Sequence, residues 1–223
     1  MTQIEKDLKI LCKLSKELGA TNAKSFNAKG VIVDERVRLK CVIPPCDDYG
    51  LNLMCPPYVM SVQECREVFS KYEWAVLIQI EAPITTEMKS HIQDAGDVMA
   101  LYKSKKFRDI YKKAFDSVRL KLHTIVNKVE AKAAMLGYRF ATGFKAGPCR
   151  LCPECIVKCS NQICRRPYQS RPSMEAVGID VFKTAENAGL PFVFPAKNKA
   201  VWNGLILSIN ARKEVGYLSE FFS

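Results

Sequence analysis

Five of the ten cysteines fall within residues 149–164, in the stretch GPCRLCPECIVKCSNQICRRP. Pro, Gly and Asn recur through it, and neither a helical nor an alternating apolar period survives, so it reads as a loop. Cys149, Cys152, Cys155 and Cys159 follow the x2, x2, x3 spacing of bacterial ferredoxins, where closely spaced thiolates take separate irons of one cubane cluster. Zinc sites more often draw on two cysteine pairs a dozen or more residues apart, although a structural zinc remains open. Ferredoxins place Pro after the fourth cysteine, whereas here Ser160 follows Cys159 and Pro167 comes soon after Cys164. Cys159 and Cys164 therefore compete to be the fourth ligand.

Three further cysteines, Cys41, Cys46 and Cys55, lie in KCVIPPCDDYGLNLMCPPY, a second stretch of turn residues. Three thiolates are one short of a site, and the fifth cysteine of the other loop supplies the missing one. The assignment is Cys149, Cys152, Cys155 and Cys164 at one centre, and Cys41, Cys46, Cys55 and Cys159 at another. An exchange of Cys159 and Cys164 between them stays open. The last two cysteines, Cys12 and Cys65, sit at helical spacing among apolar residues and read as small buried hydrophobes. Arg150, Arg165, Arg166 and Arg171 border the second loop; an arginine there can hold an anionic cluster. The first three count as cofactor-binding candidates, against a reading as ordinary surface arginines. Asp47, Asp48 and Tyr49 read as turn residues.

Clustered thiols imply metal or redox chemistry only in a reducing compartment, so the compartment matters. The N-terminal residues mix both charge signs through their apolar stripe, unlike a secretion signal. No apolar run approaches the roughly 18 residues a membrane span needs. The expectation is a cytoplasmic protein of ordinary globular composition, 48% apolar and 26% charged over 223 residues. With no linker, repeat or low-complexity tract, residues 1–223 read as a single domain with cysteine-rich loops at 41–58 and 147–172.

Two stretches together resemble a known family. One is Cys-x4-Cys-x2-Tyr-Gly leading to Cys-Pro-Pro-Tyr, from Cys41 to Tyr58. The other is Gly-Pro-Cys-Arg-Leu-Cys-x2-Cys leading to Cys-Arg-x-Pro and Arg-Pro-Ser-Met-Glu-Ala-x-Gly-Ile-Asp-Val-Phe, from Gly147 to Phe182. The chain is similar over residues 20–210 to a family of prokaryotic predicted metal-binding proteins, DUF2284. The resemblance implies a metal protein with Cys149, Cys152, Cys155 and Cys164 as its C-terminal ligands and Cys159 as an extra; it implies no particular reaction.

Around the loops, helix and strand patterns alternate. Residues 3–18 form an amphipathic helix ending at Gly19, and 24–33 a strand region interrupted by Gly30. Asp34 and Ser61 cap helices into Cys41 and towards Tyr72. Residues 74–80 are a buried strand, 87–135 a helical region in two pieces joined near 103–106, and 138–144 a strand feeding the cysteine loop. Asp180 caps a helix to Ala188, and 202–209 is the last strand. The fold class is mixed α/β, a layered sheet-and-helix arrangement with the cysteine loops at one end.

The net charge of +11 is concentrated. Residues 102–132 hold ten basic side chains against Asp109, Asp116 and Glu130, contributing +7. Tyr111, Phe115, Leu122, Ile125 and Val129 recur every three or four residues, so the cations fall on the wet face. A solvated face or a docking surface for an acidic redox partner fits this pattern. Nucleic acid is disfavoured, because no aromatics interleave with the lysines and no nucleic-acid motif occurs. His91 and His123 are the sole histidines, and phosphate-binding and nucleophile-elbow motifs are absent. No catalytic residue is assigned. The leading expectation is an iron–sulfur protein with one or two [4Fe-4S] clusters passing electrons to a partner enzyme. The alternatives are a zinc-stabilised binding module for RNA or an acidic protein, and an enzyme whose cluster keeps one iron open for substrate.

Overall fold

A computed structural model describes residues 1–94, 104–158, 163–193, 196 and 198–208. Its frame is a four-stranded antiparallel sheet, β1 (Asn22–Asn27), β2 (Trp74–Pro83), β3 (Thr142–Phe144) and β4 (Lys199–Ser208), in the order β1-β2-β4-β3. The fold is mixed α/β, as the sequence pattern implied. The apolar run of β2 is explained by burial on both faces. Val76, Ile78 and Ile80 enter one core, while Ala75 and Leu77 enter another. Gln79, the polar residue in that run, is buried too, and its amide donates to Leu190 O (2.8 Å) and Asn203 Oδ1 (3.1 Å).

The first core is closed by α1 (Gln3–Glu17) and by the long α5 (Lys105–Met135). Thr2 and Glu5 make a capping box at the start of α1, and Gly19, at φ 98°, turns the chain out of it. Phe115, Leu122, Ile125 and Val129 of α5 are buried, whereas Lys105, Lys106, Lys112, Lys121 and Lys128 are exposed, as the period required. Between β2 and α5 comes α4 (Thr86–Asp94), so the expected helical region does begin near residue 87; residues 95–103, including Lys103 of the expected joint, lie outside the described residues.

The second core is covered by α3 (Val62–Phe69), α6 (Val181–Asn187) and the segment before α6. Ser61 and Asp180 cap these helices through the backbone N–H groups of Glu64 and Lys183. Asp34 caps the one-turn α2 (Glu35–Leu39) in the same way, through Arg36. Cys65 is buried here and Cys12 packs partly buried against the first core, so both behave as hydrophobes. The strand at 24–33 stops at Asn27, where a short 3-10 turn (Ala28–Gly30) begins.

One expected strand is shorter than its pattern. Residues 138–144 alternate as a strand, yet β3 spans Thr142–Phe144 alone. Tyr138 is instead drawn into the first core, its hydroxyl donating to buried Asp7 (3.0 Å). The last strand ends at Ser208, and Ile209 lies outside the described residues. No helix among the described residues is long and apolar enough to cross a membrane.

Candidate metal centre

The second cysteine loop starts where β3 ends. Lys145 bridges Ser173 in parallel fashion, with Lys145 N donating to Pro172 O (3.2 Å) and Met174 N to Lys145 O (2.9 Å). This pins both ends of the cysteine segment beside the sheet. Lys145 itself is only 1% exposed. Its ammonium donates to the carbonyls of Ala146 (3.3 Å), Gly147 (2.7 Å) and Pro148 (2.8 Å), curling the chain immediately before Cys149. Burial lowers the Lys145 pKa to about 8 even though Cys149, Glu175 and Cys55 pull the other way.

The return segment is fastened to α5. Glu130 takes a bidentate bond from Arg171 (2.7 and 2.6 Å), and Gln169 O accepts from Asn127 (2.9 Å) and from Nε2–H of His123 (2.7 Å). That carbonyl can only accept, so His123 carries a proton on Nε2. Burial drives its pKa down to about 4, aided by the charge of Lys145.

The first cysteine loop folds onto the second. Asp48 accepts a bidentate bond from Arg150 (2.7 and 2.9 Å). Asn52, 2% exposed, donates through Nδ2 to Cys149 O (2.9 Å) and accepts from Met54 N (3.0 Å) at Oδ1. Arg38 secures the start of the loop by donating to Ala176 O (2.7 Å) and Met60 O (3.2 Å).

Cys149, Cys152, Cys155 and Cys164 line one small cavity together, and residues Asp48 and Leu51 to Met54 of the first loop complete its wall. Backbone amides point at these sulfurs. Leu53 N donates to Cys155 Sγ (3.4 Å) and Arg166 N to Cys164 Sγ (3.3 Å), while Cys164 Sγ donates to Ser170 Oγ (3.6 Å). Arg150, Arg165 and Arg166 line the same cavity, but with their own obligations. Arg150 is engaged by Asp48, Arg165 donates to Glu154 O (3.2 Å) and Arg166 to Gln169 Oε1 (3.3 Å).

Cys41, Cys46 and Cys55 form a separate neighbourhood. Burial pushes the Cys55 thiol up to about 12, reinforced by the charges of Asp48, Cys46 and Cys41, and burial likewise raises Cys41. Cys149 is raised chiefly by burial as well. All nine described cysteines are free, and Cys159 lies outside the described residues. Among the described residues no three His, Cys, Asp or Glu side chains gather closely enough to hold a single ion. The donor set around the cavity, four thiols with amides aimed at two of them, fits a soft metal centre in chemistry.

Three residues that matter here escaped the sequence reading. Asp48 read as a turn residue, and Lys145 and Asn52 were given no role. The tandem Asp-Asp before Tyr-Gly was the one available signal, since a turn needs only one of the pair. No curated protein and no solved structure matches the chain. A family model described as predicted metal-binding protein matches residues 24–208, well over half of the chain. With its cysteine loops folded together around a shared cavity, the chain belongs to that family, DUF2284.

Proposed function

We propose that this protein is an iron–sulfur protein that holds a [4Fe-4S] cluster on Cys149, Cys152, Cys155 and Cys164 and passes electrons to a partner enzyme. The observation that carries the reading is the shared cavity of these four cysteines, with the backbone amides of Leu53 and Arg166 donating to two of the sulfurs. A cubane attaches each thiolate to its own iron, so its ligands surround a cavity; a tetrahedral zinc draws four sulfurs to about 2.3 Å from one point. Amide donors to ligand sulfur stabilise added negative charge and tune the potential. When bound, such a cluster supplies one-electron chemistry. Asn52 and Lys145 hold the backbone around Cys149, and the Asp48–Arg150 pair keeps the first loop over the site.

Cys41, Cys46 and Cys55, with Cys159, are the proposed ligands of a second centre. The exposed lysines of α5 offer an acidic redox partner a surface of opposite charge. Anaerobic purification followed by iron, sulfide and zinc analysis tests the reading. About four or eight irons per chain, with matching sulfide, support it. Zinc without sulfide sinks it in favour of a binding module. Replacing Cys159 and Cys164 separately by Ala then tests the ligand set, which fails if the Cys164→Ala protein keeps its full complement of iron.

A further inference from the structure

The sheet leaves a gap along β4, beside the cysteine loops. Because β3 pairs only with Leu205 to Leu207, no strand among the described residues covers the other side of β4 from Lys199 to Gly204. A cleft of about 1140 Å³ opens there, running from Ala200 and Trp202 to the edge of the cysteine loops at Cys41, Gly147 and Pro148. That volume is somewhat above the usual range of small-molecule sites, about 300–1,000 Å³. Its walls are aromatic. Phe115 and Trp202 pack at 4.4 Å, Tyr111 and Phe115 at 4.9 Å, and Phe182 stacks on Phe192 at 4.5 Å with planes 20° apart.

Its cations outnumber its charged acids. Arg36, Lys40, Arg119 and Lys183 line the cleft with Asp34, Asp180 and Glu175. Asp34 and Arg36 pair with each other (2.6 Å), Asp180 caps α6, and burial shifts Glu175 towards its neutral form. Arg119 is the innermost of the cations by burial, its side chain 15% exposed and its guanidinium 4.9 Å from the centre of the Tyr111 ring. Among the described residues, Asp116 accepts one of its five N–H groups (3.2 Å) and donors remain for a second carboxylate.

We propose that this cleft binds an organic anion with a flat apolar body, of the arylcarboxylate or arylsulfonate class, its ring against the aromatic wall and its acid group on Arg119. The metal reading is not needed for this. The lining residues that do the binding belong to the sheet, α5 and α6, and a ligand seated there lies beside the cysteine loops.

The full chain titrated with 1-anilinonaphthalene-8-sulfonate tests it, with energy transfer from Trp202 as the readout in a Trp74→Phe background. Saturable binding of one probe per chain is expected, displaced by benzoate and not by benzamidine, the cation of similar shape. Arg119→Gln weakens the probe about tenfold or more, the scale of a charge-assisted hydrogen bond. Unsaturable emission, equal displacement by benzamidine, or unchanged affinity in a folded Arg119→Gln protein overturns the proposal. If that variant fails to fold, the benzoate and benzamidine comparison decides alone. Iron content plays no part in the readout, so failure here leaves the metal centre standing, and the reverse also holds.

Discussion

Lys145 and His123 are the two buried bases among the described residues, and both serve the loop that carries Cys149 to Cys164. A lysine 1% exposed is retained against a large desolvation cost because three carbonyls accept hydrogen bonds from it. In Lys145→Met those carbonyls lose their donor and the turn before Cys149 relaxes. Residues that orient ligands are worth about 10–100-fold in metal affinity, so this variant is expected to hold its metal at least about tenfold more weakly in a chelator competition. His123 makes a pH prediction with a definite sign. Its pKa is about 4 in the fold against an ordinary 6.5, so between these values the unfolded chain binds the extra proton. Its contribution is fully present above about pH 6.5 and is lost as pH falls towards 4, by up to about 3 kcal/mol. Denaturant melts across that window should show the loss, and His123→Gln, which keeps a donor for Gln169 O, should flatten it.

At the scale of elements, the close approach of α5 to the sheet decides how the cysteine loops are held. Gly204 in β4 lies under this helix, where an added Cβ would stand 2.6 Å from Val126 Cγ2 and 3.1 Å from Leu122 Cδ1. Gly143 in β3 has the same problem with Val126 and with Glu130, the residue that anchors Arg171. Gly204→Ala is therefore expected to destabilise by about 1–3 kcal/mol, the usual cost of overpacking. Val126→Ala should recover part of that loss in the double variant, and urea melts of the four proteins measure the coupling. The strand at 138–144 shows why this level is hard to read from a single stretch of chain. Its alternation is genuine, but Tyr138 finds Asp7, 131 positions away, and the strand is cut to three residues. By contrast the caps at Ser61 and Asp180 and the doubly buried β2 were legible, because a cap reaches three residues and a strand's burial is written in its own side chains.

For the whole molecule the division is between a packed frame and two loops with little core of their own. The two hydrophobic cores draw on α1, α5, α3, α6 and the strands, while most of the described residues in 41–58 and 149–169 stay partly or fully exposed. Such segments open first. Anaerobic removal of the metal is expected to leave the far-ultraviolet signal of the frame nearly intact, while limited proteolysis cuts within both loops at once. Cutting in one loop alone would contradict the mutual closure made by Asp48 with Arg150 and Asn52 with Cys149. That Cys149, Cys152, Cys155 and Cys164 share one cavity was legible in the sequence, since they sit three to nine residues apart and turn residues keep them in a loop. The sequence by itself also determined the mixed fold class and the wet basic face of α5, both consequences of local periodicity. Only the tertiary structure decided that Asp48 and Asn52 meet the second loop, that Lys145 is buried, and that no strand among the described residues pairs with β4 beyond Leu205 on its cleft side. The first depends on partners about 100 residues apart, the second on how the sheet and loops pack, and the third on a strand ending early, and none of these leaves a period for a local pattern to record.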